Sequence, residues 1–218
     1  MFKKVILSLF VFSCLSLAAD AALILSNQKK AAFPDTAEIR MRTTVSMHGL
    51  PTQTIESRML SKGKDKNLTE IKSPLMNMKI VRNGERLSIT DLKTGAVLPS
   101  NMAGQQGMPD ISQSMGSAED YHAPVKEGNL WRLSPKDPAQ ATLFYSEEQK
   151  RVVKTRQTVQ AGVESETNIK YCGSSCPFPG TPAEIEITTS INGQNSKVTL
   201  EIISVQKPKT ISEAMFEM

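Results

Sequence analysis

From Glu38 to His48 apolar and polar side chains alternate without a break. Ile39, Met41, Thr43, Val45 and Met47 fall on one side; Glu38, Arg40, Arg42, Thr44, Ser46 and His48 fall on the other. Successive side chains of an extended chain leave opposite faces, so this pattern predicts a half-buried strand. Gly49-Leu50-Pro51 ends it, and Ile55, Ser57 and Met59 share a face in a second strand from Gln53 to Ser61. The charged turn Lys62-Gly63-Lys64-Asp65-Lys66 precedes a shorter strand, Asn67 to Ser73. After Pro74, the residues Met76, Met78 and Ile80 alternate with Asn77, Lys79 and Val81. Asn83-Gly84 suits a two-residue hairpin, because both central positions need positive φ. Leu87 and Ile89 lie on the return strand, which ends near Asp91 before the turn Lys93-Thr94-Gly95.

The pattern lapses from Asn101 to Lys126, where Met102, Met108 and Met115 punctuate a Gly-, Gln- and Ser-rich stretch. So long an irregular segment within a compact domain is uncommon, and two readings stand: a lid over an apolar cavity, or an insertion without a role. Asp110 to Met115 could form one or two helical turns. Strands then resume. Trp131 and Leu133 share a face, Ala141 to Tyr145 leads into a Glu147–Lys150 turn, and Val153, Thr155, Gln157 and Val159 follow it. Val163 to Tyr171 alternates cleanly, as do Ile185 to Ile191 and, beyond Asn192-Gly193, Val198 to Ile202. About ten strands joined by tight turns predict an antiparallel sheet, and a long one curls. One helix is predicted, over Asp20 to Ala32, with Asp20 as cap and Pro34 as stop. Its apolar side is expected to lie on the N-terminal meander and, with the middle segment, to plug the concave side.

The first residues have the form of a secretory signal peptide: Lys3 and Lys4, an apolar run from Val5 to Leu17, and small-residue cleavage sites at Ser16-Leu17-Ala18 or Ala19-Asp20-Ala21. This implies an exported, periplasmic chain, with residues 1–21 removed and a single domain over 22–218. An alternative is lipidation at Cys14, since Val11-Phe12-Ser13-Cys14 loosely resembles a lipobox. In an oxidising compartment Cys172 and Cys176, flanking Gly-Ser-Ser at a strand end, are expected to close a local disulfide; a redox-active pair is the competing reading. The formal net charge of +4 includes no block of basic residues interleaved with aromatics, so nucleic acid is not an expected partner. With only two histidines, His48 and His122, neither near a second ligand in sequence, no metal or other cofactor is expected. Eleven methionines suit either ordinary core filling or an adaptable apolar surface.

The tail Ile202-Ile203-Ser204-Val205-Gln206-Lys207-Pro208-Lys209-Thr210-Ile211-Ser212-Glu213-Ala214-Met215-Phe216-Glu217 resembles the end of the LolA/LolB-like outer-membrane lipoprotein-sorting proteins: a last strand, a polar link, and an acidic-x-x-Phe segment. Ile71-Lys72-Ser73-Pro74 followed by Ile80-Val81-Arg82-Asn83-Gly84-Glu85-Arg86-Leu87 is similar to that family's Pro-to-Asn-Gly hairpin. Ser73 stands where its carriers have arginine, and Ser88-Ile89-Thr90 where they favour aromatics. The resemblance implies an α+β, mainly β fold: a strongly curved antiparallel half-barrel with helices lidding a hydrophobic cavity. It also implies a monomer that holds acyl chains of a lipid or an acylated lipoprotein, received from an inner-membrane release complex and passed to an outer-membrane acceptor.

On this reading Ile39, Met41, Val45, Met47, Ile55, Met59, Met76, Met78, Ile80, Leu87 and Ile89 line the cavity, with Met102, Met108 and Met115 in the lid. The same eleven would equally serve as ordinary core under the helix. An envelope sensor using the same fold to bind a protein partner is the alternative function. An enzyme is the third class, and the chain offers it no nucleophile elbow, phosphate loop or partnered histidine.

Overall fold

The computed structural model describes residues 20–29, 33–63, 65–99, 115–191 and 193–218. Thirteen strands form one antiparallel sheet. The first six are β1 (Thr36–Met47), β2 (Gln53–Lys62), β3 (Lys66–Lys72), β4 (Asn77–Asn83), β5 (Arg86–Asp91) and β6 (Val97–Leu98). The others are β7 (Val125–Glu127), β8 (Leu130–Leu133), β9 (Thr142–Ser146), β10 (Arg151–Gln160), β11 (Val163–Tyr171), β12 (Pro182–Ile191) and β13 (Gln194–Gln206). The order across the sheet is β6-β5-β4-β3-β2-β1-β13-β12-β11-β10-β9-β8-β7. Two meanders therefore meet at the centre through the pairing of β1 with β13, and the connection from β6 to β7 joins the sheet's two edges.

The sheet is an open, curved half-barrel, and its register shows the stagger that curvature requires. Pairing of β1 with β2 runs out to Val45↔Gln53, that of β2 with β3 stops at Glu56↔Lys72, and that of β4 with β5 at Met78↔Asp91. Each hairpin steps back along the strands relative to the one before. A retreat of about 13 Å over four strand spacings corresponds to an angle of about 35°, the tilt at which barrel strands cross the barrel axis. On the other side of β1 the stagger continues with the same sense, since β13 pairs with β12 out to Ile191↔Gln194, beyond its last pair with β1, Met47↔Ser196.

Three features differ from the sequence reading. The sheet has thirteen strands, not about ten; the two- and three-residue edge strands β6 and β7 are too short to show periodicity. β7 and a 3₁₀ turn, Ala118–Asp120, also fall within the stretch expected to be an irregular loop to residue 126. The N-terminal helix α1 spans Ala21–Lys29, its Asp20 Oδ1 accepting the Ala22 N–H at 3.2 Å as the expected cap. But α1 does not lie on the N-terminal meander. Ala21, Ile24 and Leu25 pack with Leu133, Leu143, Tyr145 and Val152, all from β8–β10.

Bulges explain two misassigned faces. Val152 pairs with Tyr145 and Lys154 with Phe144, so Val153 is an extra residue; fully buried Val152, not Val153, faces α1. A second bulge between Thr158 and Gln160 leaves Val159 exposed. The disulfide is as expected: Cys172 and Cys176 are bonded, with Cα atoms 5.9 Å apart.

Candidate apolar binding face

Cross-strand register decides which side chains share a face, because partners directly opposite one another project the same way. Starting from Ile39, one row runs Val205–Ile39–Met59–Thr69–Ile80–Ile89–Leu98 across β13 and β1 to β6. A second runs Ile202–Met41–Ser57–Ile71–Met78–Asp91. Thr43 with Ile55 and Leu200, then Val45 with Val198 and Gln53, continue the face toward the end of β1. Leu87 joins it opposite Arg82. Seven strands make this face about 29 Å wide.

Ten of the eleven predicted lining residues thus lie on one face. Met76 does not: it sits before β4, its N–H bonded to the Ser73 hydroxyl at 3.0 Å, and is 37% exposed. The sequence alternation extended through it because Pro74 and Leu75, which make the turn, do not interrupt the spacing. Burial is graded. Ile39, Met41, Ile80 and Ile89 are buried, Val45, Ile55, Met59, Met78 and Leu87 are half-buried, and Met47 is exposed.

The buried members form two clusters. One is Ala37, Ile39 and Met41 with Phe33, Met59, Leu200, Ile202 and Val205; the other is Ile80 and Ile89 with Ile71, Met78, Leu87 and Leu98. Neither includes a residue of α1. The helix occupies the other half of the same face, fastened by polar contacts that sequence reasoning missed. The buried Gln28 accepts the Val152 N–H through Oε1 at 3.0 Å and donates to the Tyr171 hydroxyl at 3.0 Å. Arg151 donates to the Asn27 carbonyl at 2.6 Å, near the end of the helix where a cation is favoured. Met115, placed by sequence in a lid, is buried against α1 with Tyr121. Met102 and Met108 lie outside the described residues.

The opposite face is laced with charge. Arg58 donates to Glu38 at 2.9 Å and stands 3.6 Å from Glu70; its hydrogen bond holds the Glu38 carboxyl below its ordinary pKa. Glu166 takes Lys154 at 2.7 Å and Arg156 at 3.0 Å, and Lys170 meets Glu184 at 2.6 Å. Such pairs keep one face in solvent and mark the other as the face to be covered. Among the described residues no group of three or more His, Cys, Asp or Glu could hold a metal, and no helix is long and apolar enough to cross a membrane.

An open antiparallel half-barrel, apolar within and charged without, with a helix seated on half of its inner face, defines the class. The chain has the LolA-type fold. It superposes on a LolA superfamily protein from Nitrosomonas europaea with a TM-score of 0.62 and 14% identity, over 92% of this chain and 99% of that one. An outer membrane lipoprotein-sorting protein domain from Vibrio parahaemolyticus gives 0.57 and 13%, over 89% and 95%. A DUF1329 family protein from Desulfovibrio piger gives 0.57 and 10%, over 91% and 96%. No protein-family model and no curated protein matches the sequence.

Proposed function

We propose that this protein is a periplasmic carrier that holds the acyl chains of a lipid or an acylated lipoprotein, non-covalently, on the inner face of β13 and β1–β6. The observation that carries the reading is the pair of apolar rows through Ile39 and Met41, which span seven and six strands on the half of the inner face outside the helix's own cluster. Each buried methylene contributes about 0.8 kcal/mol, so ten methylenes supply about 8 kcal/mol before ordering costs. No catalytic group is required. Met41, Met59 and Met78 suit such a site because unbranched, polarizable thioethers adjust to chains of different shape. An inner-membrane release complex as donor and an outer-membrane acceptor complete the proposal, as does a single domain over residues 22–218.

Two measurements test it. Native mass spectrometry of the protein purified without detergent should show an added mass that partitions into organic solvent. Met78→Glu and Ile55→Glu, which place a carboxylate at half-buried positions of the inner face, should abolish uptake of a fluorescent fatty acid while the fold persists by circular dichroism. Undiminished uptake in both variants would move the cargo off this face. A clean apo mass with no probe uptake would favour the envelope sensor.

A further inference from the structure

The exposed apolar side chains are not scattered. Among the described residues, seven of the twelve large apolar residues that solvent reaches lie in or beside hairpin tips at one end of the sheet. These are Leu92 after β5, Leu75 and Met76 between β3 and β4, Met47 and Leu50 at the β1–β2 tip, Ile191 at the end of β12 and Val159 near the end of β10. Leu75 is 79% exposed, Val159 60% and Leu50 57%. The stagger described above makes this one rim: with strands tilted by about 35°, hairpins that step back along the strands come level along the barrel axis. The opposite rim differs. Its turns contain Asp65, Gly84-Glu85, Gly128-Asn129 and Glu147-Glu148-Gln149-Lys150, and none exposes a large apolar side chain.

We infer that this rim docks on an anionic lipid bilayer, its tips entering the headgroup region while the sheet stands above it. This goes beyond the carrier reading and does not depend on it. The form of the surface favours a bilayer over a protein. Tips of successive hairpins are about 10 Å apart, so they present separate aliphatic fingers instead of a continuous patch. They also lack the tryptophan, tyrosine and arginine that anchor protein interfaces. Charge agrees. Residues 48–52, 73–76 and 92–96 contain no carboxylate and carry Lys93; exposed Lys72 beside them faces exposed Glu56 across β2 and β3. Asp91, at the foot of the third turn, spends one carboxylate oxygen on the Lys93 and Thr94 N–H groups at 2.7 and 3.1 Å. Apolar area plus basic charge is the combination that holds peripheral proteins on acidic membranes.

The test is flotation of the purified protein with vesicles of equimolar phosphatidylethanolamine and phosphatidylglycerol. The tip variant is Leu50→Glu, Leu75→Glu and Leu92→Glu together. The control, Asn129→Glu, Gln149→Glu and Ser174→Glu, adds the same three charges at exposed positions of the other rim. Wild type and control should float, and the tip variant should lose about tenfold in the fraction bound. A milder set, Leu50→Ser, Leu75→Ser and Leu92→Ser, should show the same direction without added charge. Failure of wild type to float, equal loss in the control, or flotation of both tip variants like wild type would overturn the inference. Fatty-acid uptake, read on the same samples, should be unchanged in the tip variants. Loss of uptake by the inner-face variants with flotation intact concerns the carrier reading alone, so the two ideas fail separately.

Discussion

Gln28 shows how one polar residue fixes an element. The bulge that turns Val152 inward disrupts the ladder locally, and Gln28 takes up the Val152 N–H while Tyr171 donates to the Val152 carbonyl at 2.7 Å. Burial of Tyr171 pushes its hydroxyl pKa up, keeping it protonated as that donor. Removing one partner of a buried donor leaves the desolvation cost uncompensated, about 1–3 kcal/mol. Gln28→Ala should lower the urea midpoint accordingly and release the Val152 amide in hydrogen exchange. An unchanged Val152 amide would mean that the helix is held by packing alone. Nothing in the sequence singled out Gln28, because a glutamine in a short helix reads as solvent-facing until its neighbours are known.

At the scale of elements, the C-terminal segment is a strap on the outer face. Ile211, Met215 and Phe216 pack on Leu60, Leu68 and Val81, an apolar patch on an otherwise charged surface. The strap also resolves an electrostatic problem. Lys62 and Lys66 face each other directly across β2 and β3, a like-charge pair that opposes pairing. Glu213 bridges both, its oxygen 2.7 Å from Lys62, and the two lysines draw its pKa from 4.5 down to about 2. A carboxyl depressed in the folded state stabilises it above the unfolded pKa and ceases to as acid protonates it. The strap should therefore loosen as pH falls from 4.5 toward about 2. Hydrogen exchange across residues 211–217, corrected for intrinsic rates, would measure this, and Glu213→Gln should show the loosened level already at neutral pH. Protection equal at pH 5 and pH 2 would show that Phe216, fully buried, holds the strap unaided. Phe216→Ala should cost about 3 kcal/mol by the cavity it leaves.

For the whole molecule, the central pairing of β1 with β13 matters most. Ten register pairs join the two meanders, and the strap returns from β13 onto β2–β4. The cluster of Ile39 and Met41 draws on both meanders, since Leu200, Ile202 and Val205 of β13 complete it. Thermal unfolding should be a single transition with equal calorimetric and van't Hoff enthalpies. Two transitions would divide the chain into two units at the β1–β13 seam.

What the sequence determined by itself is what depends on neighbours along the chain. Strand alternation away from the bulges at Val153 and Val159 and the turn at Met76, the Asn83-Gly84 hairpin, the Asp20 cap and the Cys172–Cys176 bridge all rest on contacts within a few residues, and each is where the pattern put it. Ten of eleven inner-face residues were legible for the same reason: period two assigns a face to every residue of a regular strand. Tertiary structure alone decided what depends on long-range pairing. It placed α1 over β8–β10 instead of the meander, because Tyr145, Tyr171 and the bulge at Val152, more than a hundred residues away, supply its hydrogen-bond partners. It joined β1 to β13, and it set the stagger that brings hairpin tips from both halves to one rim. Alternation tells a side chain which way to point, but not what waits on the other side.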